Sequence, residues 1–218
     1  MRLDNQIIEE ILYDSGIEAV TQIHSIVHSS AVEYRGELPR YLEGIHQQNP
    51  DQIIDQLWWK VRKILPLTIQ SIKAKVLDVL IVDSFSTDAF LLYVFVEDDV
   101  YFGFRGNLPI KIMPSVAIDL SVDLSIFYSV HNGWYEIESN DGLLQAERFD
   151  VFRDPENNKP NFLKVFQKGV NTVGFDIDST KKEPYVLWVE DDDVEEIIDF
   201  WKFIDEWLST MLEDVDNR

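Results

Sequence analysis

The chain has 218 residues, is 45% hydrophobic and 12% aromatic, and contains no cysteine. This length and composition predict a folded chain with a sizeable core, and the missing cysteine excludes disulfides, thiolate metal sites and cysteine nucleophiles. A formal net charge of −21 argues against nucleic acid and anionic lipid as partners and favours basic ones.

In chain order, residues 4–30 read as helix. Ile7, Ile8, Ile11 and Leu12 form one stripe behind a possible N-cap at Asp4. Ile17, Val20, His24 and Val27 form a second stripe, with Gly16 as a possible break between them. Residues 37–47 suit a short helix. Asn49-Pro50 opens a stronger one, because Pro is pre-organised for the first helical position. Its apolar residues run from Ile53 to Leu65, and Pro66 interrupts it.

The pattern changes near Lys75. Val76–Val82, Ala89–Val96 and Val100–Phe104 are rich in β-branched and aromatic residues and read as strands. The last two form a hairpin around Glu97-Asp98-Asp99. Residues 115–131 return to helix and stop at Asn132-Gly133, where glycine suits a left-handed exit. Trp134–Ile137, Leu143–Phe152, Thr172–Asp178 and Tyr185–Val189 read as strands, and Asp154–Lys159 as a loop. A final helix spans about Val194–Leu212, with Ile197, Ile198, Trp201, Ile204 and Leu208 on an apolar stripe beside Phe200, Phe203 and Trp207. The expected fold class is α+β: a mainly antiparallel sheet flanked by helices. The expected organisation is a helical N-terminal region, 1–75, and an α+β body, 76–218, in one compact unit.

The chain has four histidines. His24 and His28 stand four apart, which on a helix would put both on one face and permit a metal clamp. No glutamate stands between them, and neither a metal nor a cofactor is expected. Asp176, Asp178 and Thr180 open like a calcium loop, but Lys181 stands where glycine is needed and Leu187 where glutamate is needed. There is no nucleophile elbow, Walker loop or dinucleotide glycine fingerprint. The expectation is a non-enzymatic binding protein. The first residues lack the apolar core of a signal peptide, and no apolar run approaches a membrane span, so a soluble cytoplasmic protein without a membrane partner is expected.

The acids are unevenly distributed. Residues 1–109 carry 16 acids and 9 bases, residues 110–218 carry 24 and 10. The densest run is Glu190, Asp191, Asp192, Asp193, Val194, Glu195 and Glu196. Asp192 with Glu195, or Asp193 with Glu196, fits a helix capping box, and acids in a first turn favour the helix dipole. The six carboxylates exceed what a cap requires. They are the candidate surface for a basic partner, with Trp134 as a further candidate contact.

Several segments together carry a resemblance. They are Phe127-Tyr128-Ser129-Val130-His131-Asn132-Gly133, the aromatic Trp134-Tyr135, Val173-Gly174-Phe175, Pro184-Tyr185-Val186-Leu187-Trp188, the acidic turn and the aromatic C-terminal helix. In this order they resemble the SUKH superfamily, over about residues 110–212. That superfamily includes bacterial toxin-immunity proteins and fungal cell-wall synthesis regulators. The resemblance implies an α+β fold and a non-enzymatic role. The first expectation is an immunity protein that binds and neutralises a cognate toxin, often a nuclease. The alternative is a regulatory scaffold for cell-wall synthesis or signalling.

Overall fold

A computed structural model describes residues 5–14, 20–25, 42, 49–84, 88–153 and 159–213. Among these residues the fold is α+β, with five α-helices and one eleven-stranded sheet in which every pairing is antiparallel. The helices are α1 (Asn5–Asp14), α2 (Pro50–Trp58), α3 (Pro66–Lys75), α4 (Val122–Tyr128) and α5 (Phe200–Glu213). The strands are β1 (Val20–Ser25), β2 (Val76–Ser84), β3 (Phe90–Glu97), β4 (Val100–Asn107), β5 (Trp134–Glu136), β6 (Gly142–Leu143), β7 (Asp150–Phe152), β8 (Phe162–Lys168), β9 (Asn171–Asp176), β10 (Pro184–Trp188) and β11 (Asp193–Glu196). The order across the sheet is β1-β2-β3-β4-β5-β6-β8-β9-β10-β11, with β7 branching off β8.

Both faces of the central strands are covered. Side chains alternate along a strand. On β3, Leu91, Tyr93 and Phe95 enter the large core, while Phe90, Leu92 and Val94 enter a smaller one. The large core holds Ile53, Ile54 and Trp58 of α2, Phe127 of α4, and Trp201, Ile204 and Leu208 of α5. The smaller core is closed by Ile8, Ile11 and Leu12 of α1.

Local chemistry explains several boundaries. Asn49 and Gln52 form a reciprocal capping box at the start of α2, with Pro50 at its first position. Pro66 begins α3 after an intervening turn. Leu65, at the N-cap of α3, makes no side-chain capping bond. The cap comes instead from α5. Asp205 Oδ2 accepts from the Leu67 amide at 3.0 Å, and its Oδ1 accepts from the Thr68 amide at 2.8 Å and the Thr68 hydroxyl at 2.7 Å. One buried carboxylate thus satisfies two orphan amides of α3 and docks α5 against it. The β3–β4 loop turns on Asp98 and Asp99, both at positive φ, as a two-residue hairpin requires.

Other expectations are corrected. β1 lies inside the stretch read as a helix, so region 1–75 is not wholly helical. Its pairing with β2 puts Ile23 opposite Val82 and His24 opposite Ile81. The helix read over 115–131 is confined to α4, capped by Ser121. The strand read over 143–152 splits into β6, a 3-10 turn at Ala146–Arg148 and β7. β8 was not anticipated. The last helix begins at Phe200, where Asp199 accepts from the Lys202 amide, instead of at Val194. The 37–47 helix, the Gly16 break and most of the 154–159 loop fall outside the described residues. Leu42 alone is described in the first of these, and it is buried.

Candidate functional site

The acidic run is a hairpin at one edge of the sheet. Residues 189–192 turn the chain between β10 and β11, with the Asp192 amide donating to the Val189 carbonyl and Asp192 at positive φ. β11 then pairs with β10, setting Val194 opposite Leu187 and Glu196 opposite Tyr185. The acids of 193–196 therefore stand on a strand, which corrects the expectation of a helix cap. Strand propensity for such residues is poor, so the pairing with β10 imposes the conformation. Glu190, Asp191, Asp192, Asp193, Glu195 and Glu196 are all exposed. Three are tied locally: Asp192 pairs with Lys159, Asp193 Oδ1 accepts from the Val194 amide at 2.9 Å, and Glu195 Oε2 accepts from Trp188 Nε1 at 3.1 Å. The Tyr185 phenol is held above its ordinary pKa by burial first, and then by Glu196, Glu183 and Asp176. Negative charge therefore concentrates along this edge.

Trp134 does not belong to that surface. It is fully buried, stacked on Phe104 at 4.3 Å and edge-on to Trp58 at 5.3 Å. A partner cannot reach it, so its assignment as a contact residue is corrected to core. Sequence alone showed an aromatic strand, and only packing decided which of its faces points inward.

The Asn132-Gly133 pair is the pivot between α4 and β5. Gly133 has φ +82°, and a Cβ there would lie 2.8 Å from the Gln145 nitrogen. Asn132 Oδ1 accepts from the Ala146 amide at 2.9 Å, and its Nδ2 donates to Glu147 at 2.8 Å. The Asn132 amide also donates to the Asn107 carbonyl at 3.1 Å. The adjacent His131 is buried in a polar chain. Trp58 Nε1 donates to the Tyr93 hydroxyl at 3.1 Å, and that hydroxyl meets His131 Nε2 at 2.7 Å. The Asn107 carbonyl, 3.4 Å from Nδ1, can only accept, which favours the proton on Nδ1 and leaves Nε2 to accept from Tyr93. This is the neutral tautomer. Burial lowers the His131 pKa to about 4, opposed by the Asn107 bond. Enclosed on all sides, the group is a core histidine without access to a substrate.

His24 lies on β1, where the helical i, i+4 geometry with His28 does not exist, and His28 is outside the described residues. Among the described residues no cluster of His, Asp and Glu has metal-holding geometry, and no helix is long and apolar enough to cross a membrane.

A second surface feature, invisible to motif reading, lies on the α1 side of the sheet. α1, β4 and the end of β5 border an open cleft of about 170 Å³. Ile7, Ile11 and Ile137 give it an apolar floor, and Glu10, Tyr101 and Glu138 also line it; Phe102 and Glu136 border it too, but the Phe102 ring is in the large core and Glu136 stands opposite Phe104, on that same face. Gly103 permits the close approach of α1, because a Cβ there would lie 2.9 Å from Ile11 Cγ2. Glu10 accepts from Gln6 at 2.9 Å and Glu136 from Ser139 at 2.7 Å, so both carboxylates are oriented. Among the described residues no lysine or arginine lines the cleft.

No protein-family model matches the chain, and comparison with curated proteins and with solved structures yields no match.

Proposed function

We propose that this chain is a non-enzymatic acidic binding protein that neutralises a basic protein, as a cytoplasmic immunity protein does with its cognate toxin. The exposed β10–β11 hairpin carries the reading, with six carboxylates within seven positions at a sheet edge. The SUKH-like order of motifs and the net charge of −21 support it. A nuclease is the toxin class with the best physical match, since an enzyme that binds a polyanion presents a basic site to which such a hairpin is steered.

The test is association kinetics with the protein that co-purifies with the native chain, measured by surface plasmon resonance across salt concentrations. Charge steering fades as the screening length falls from about 10 Å at 0.1 M to about 3 Å at 1 M. Replacing Asp191, Asp192 and Glu195 with Asn, Asn and Gln should slow association severalfold at low salt and flatten its salt dependence, with a smaller effect on dissociation. Wild-type association by this triple variant would refute the hairpin as the steering surface.

A further inference from the structure

β11 ends the sheet, and its two sides differ. The Ile197 amide donates to the Pro184 carbonyl at 2.8 Å, in the register of the β10–β11 pair. Bonded positions alternate along an antiparallel pair, so Asp193 and Glu195 also direct their backbone groups at β10, while Val194 and Glu196 direct theirs away from it. The far side of β10 agrees. There the Asp176 amide donates to the Glu183 carbonyl at 2.8 Å, which turns the backbone groups of Tyr185 and Leu187 toward β9 and leaves those of Val186 and Trp188 for β11. Among the described residues no strand pairs with the outer side of β11, and Glu195, Glu196 and Ile198 are exposed there. An outward row of backbone donors and acceptors is a template for an added strand. One donor is guarded, since the Val194 amide donates to the Asp193 carboxylate at 2.9 Å.

We propose that this edge takes an extended basic segment of the partner as a further strand, a reading that rests on the binding role proposed above and adds backbone pairing to charge steering. The charges choose the occupant. Asp193, Glu195 and Glu196 flank the edge, so the basic side chains of an incoming strand meet carboxylates across the new pairing. One of them draws Asp193 off the Val194 amide, which then donates to the incoming backbone. A neutral strand displaces the same bond with nothing in return. A second copy of this chain lays carboxylate against carboxylate, which is destabilising. Backbone bonds supply the affinity of an added strand, and its alternating side chains supply the preference for a basic sequence.

The probe is acetyl-Lys-Val-Lys-Val-Lys-Val-Lys-amide, titrated into the isotope-labelled full chain and followed by NMR. The expected result is saturable shifts of the Val194 and Glu196 amides, with slowed hydrogen exchange at Glu196. The same peptide methylated on every backbone nitrogen keeps its charge but cannot donate. It should bind about fivefold more weakly or worse and give no protection. Replacing its lysines with glutamines should also weaken binding severalfold. Glu196→Pro should bind the lysine peptide about fivefold more weakly than Glu196→Gln does. Both variants lose the charge, but only proline loses the outward amide, which the ladder to β10 does not use. Equal binding of the methylated and unmethylated peptides, a comparison that needs no mutation, would overturn strand addition. Equal affinity of the two Glu196 variants, or glutamine binding as tight as lysine, would also overturn it. Such results leave charge-steered association intact. Methylation-sensitive binding, with wild-type association by the hairpin triple variant, would instead overturn the steering role and keep the added strand.

Discussion

Asp205→Ala tests how the two halves of the helical layer are joined. The carboxylate is buried and accepts three bonds from Leu67 and Thr68 at 2.7–3.0 Å, across a sequence separation of 137 or 138 residues. Removing it strands the Leu67 and Thr68 amides at the start of α3, with the fully buried Thr68 hydroxyl keeping only the Asp205 carbonyl, at 3.3 Å. Loss of an N-cap alone costs about 0.5–2 kcal/mol. Each buried donor left unpaired costs about 1–3 kcal/mol, and hydrogen bonds to charged groups are at the upper end. With partial relaxation, the expected loss is about 3–5 kcal/mol, read by equilibrium urea unfolding as a lower midpoint at unchanged slope. Asp205→Asn keeps one acceptor but turns an NH₂ toward a donor, so it should fall between wild type and alanine. A cycle with Thr68→Ala should be strongly non-additive, because both changes remove the same bond. A loss below about 1 kcal/mol for Asp205→Ala would refute the cross-helix cap as a stabilising link.

Gly133→Val should destabilise by more than about 2 kcal/mol, since it combines a left-handed backbone with a Cβ placed 2.8 Å from the Gln145 nitrogen; near-neutral urea unfolding would refute this. His131 gives a pH dependence of defined sign. Its folded pKa of about 4 lies below an unfolded value of about 6.5, so protons bind the unfolded chain preferentially. The stabilising contribution is fully present above about 6.5, is lost as pH falls toward about 4, and amounts to about 3 kcal/mol across that window. The stability–pH slope of wild type should therefore exceed that of His131→Gln by up to one proton between these limits. Equal slopes would show that the imidazole is not buried neutral.

Much of the layout is legible from residue pattern. The β-branched and aromatic runs mark β2, β3 and β4, Asn49-Pro50 marks the start of α2, and Gly133 marks the left-handed turn between α4 and β5. The long apolar stripe marks α5, though not its start. The failures have a common physical source. β1 and β11 are edge strands whose residues carry helical spacing or dense acid, so their local preference is overridden by backbone pairing with β2 and β10. β8 pairs with three other strands, and two lysines inside a seven-residue apolar segment obscured its pattern.

The candidate surfaces divide in the same way. Composition by itself determined the acidic run, the absence of cysteine chemistry and the α+β class, because these depend on residue type and short-range period alone. Tertiary structure decided that the acids form an exposed hairpin at a sheet edge, that Trp134 and His131 are enclosed, and that Asp205 caps a helix far away in sequence. It also decided that α1, β4 and the end of β5 border one cleft. Each of these is a long-range contact, set by which face of an element turns inward and which distant segment covers it. A one-residue change of register reverses the facing of a whole strand, and residue type carries no record of that choice.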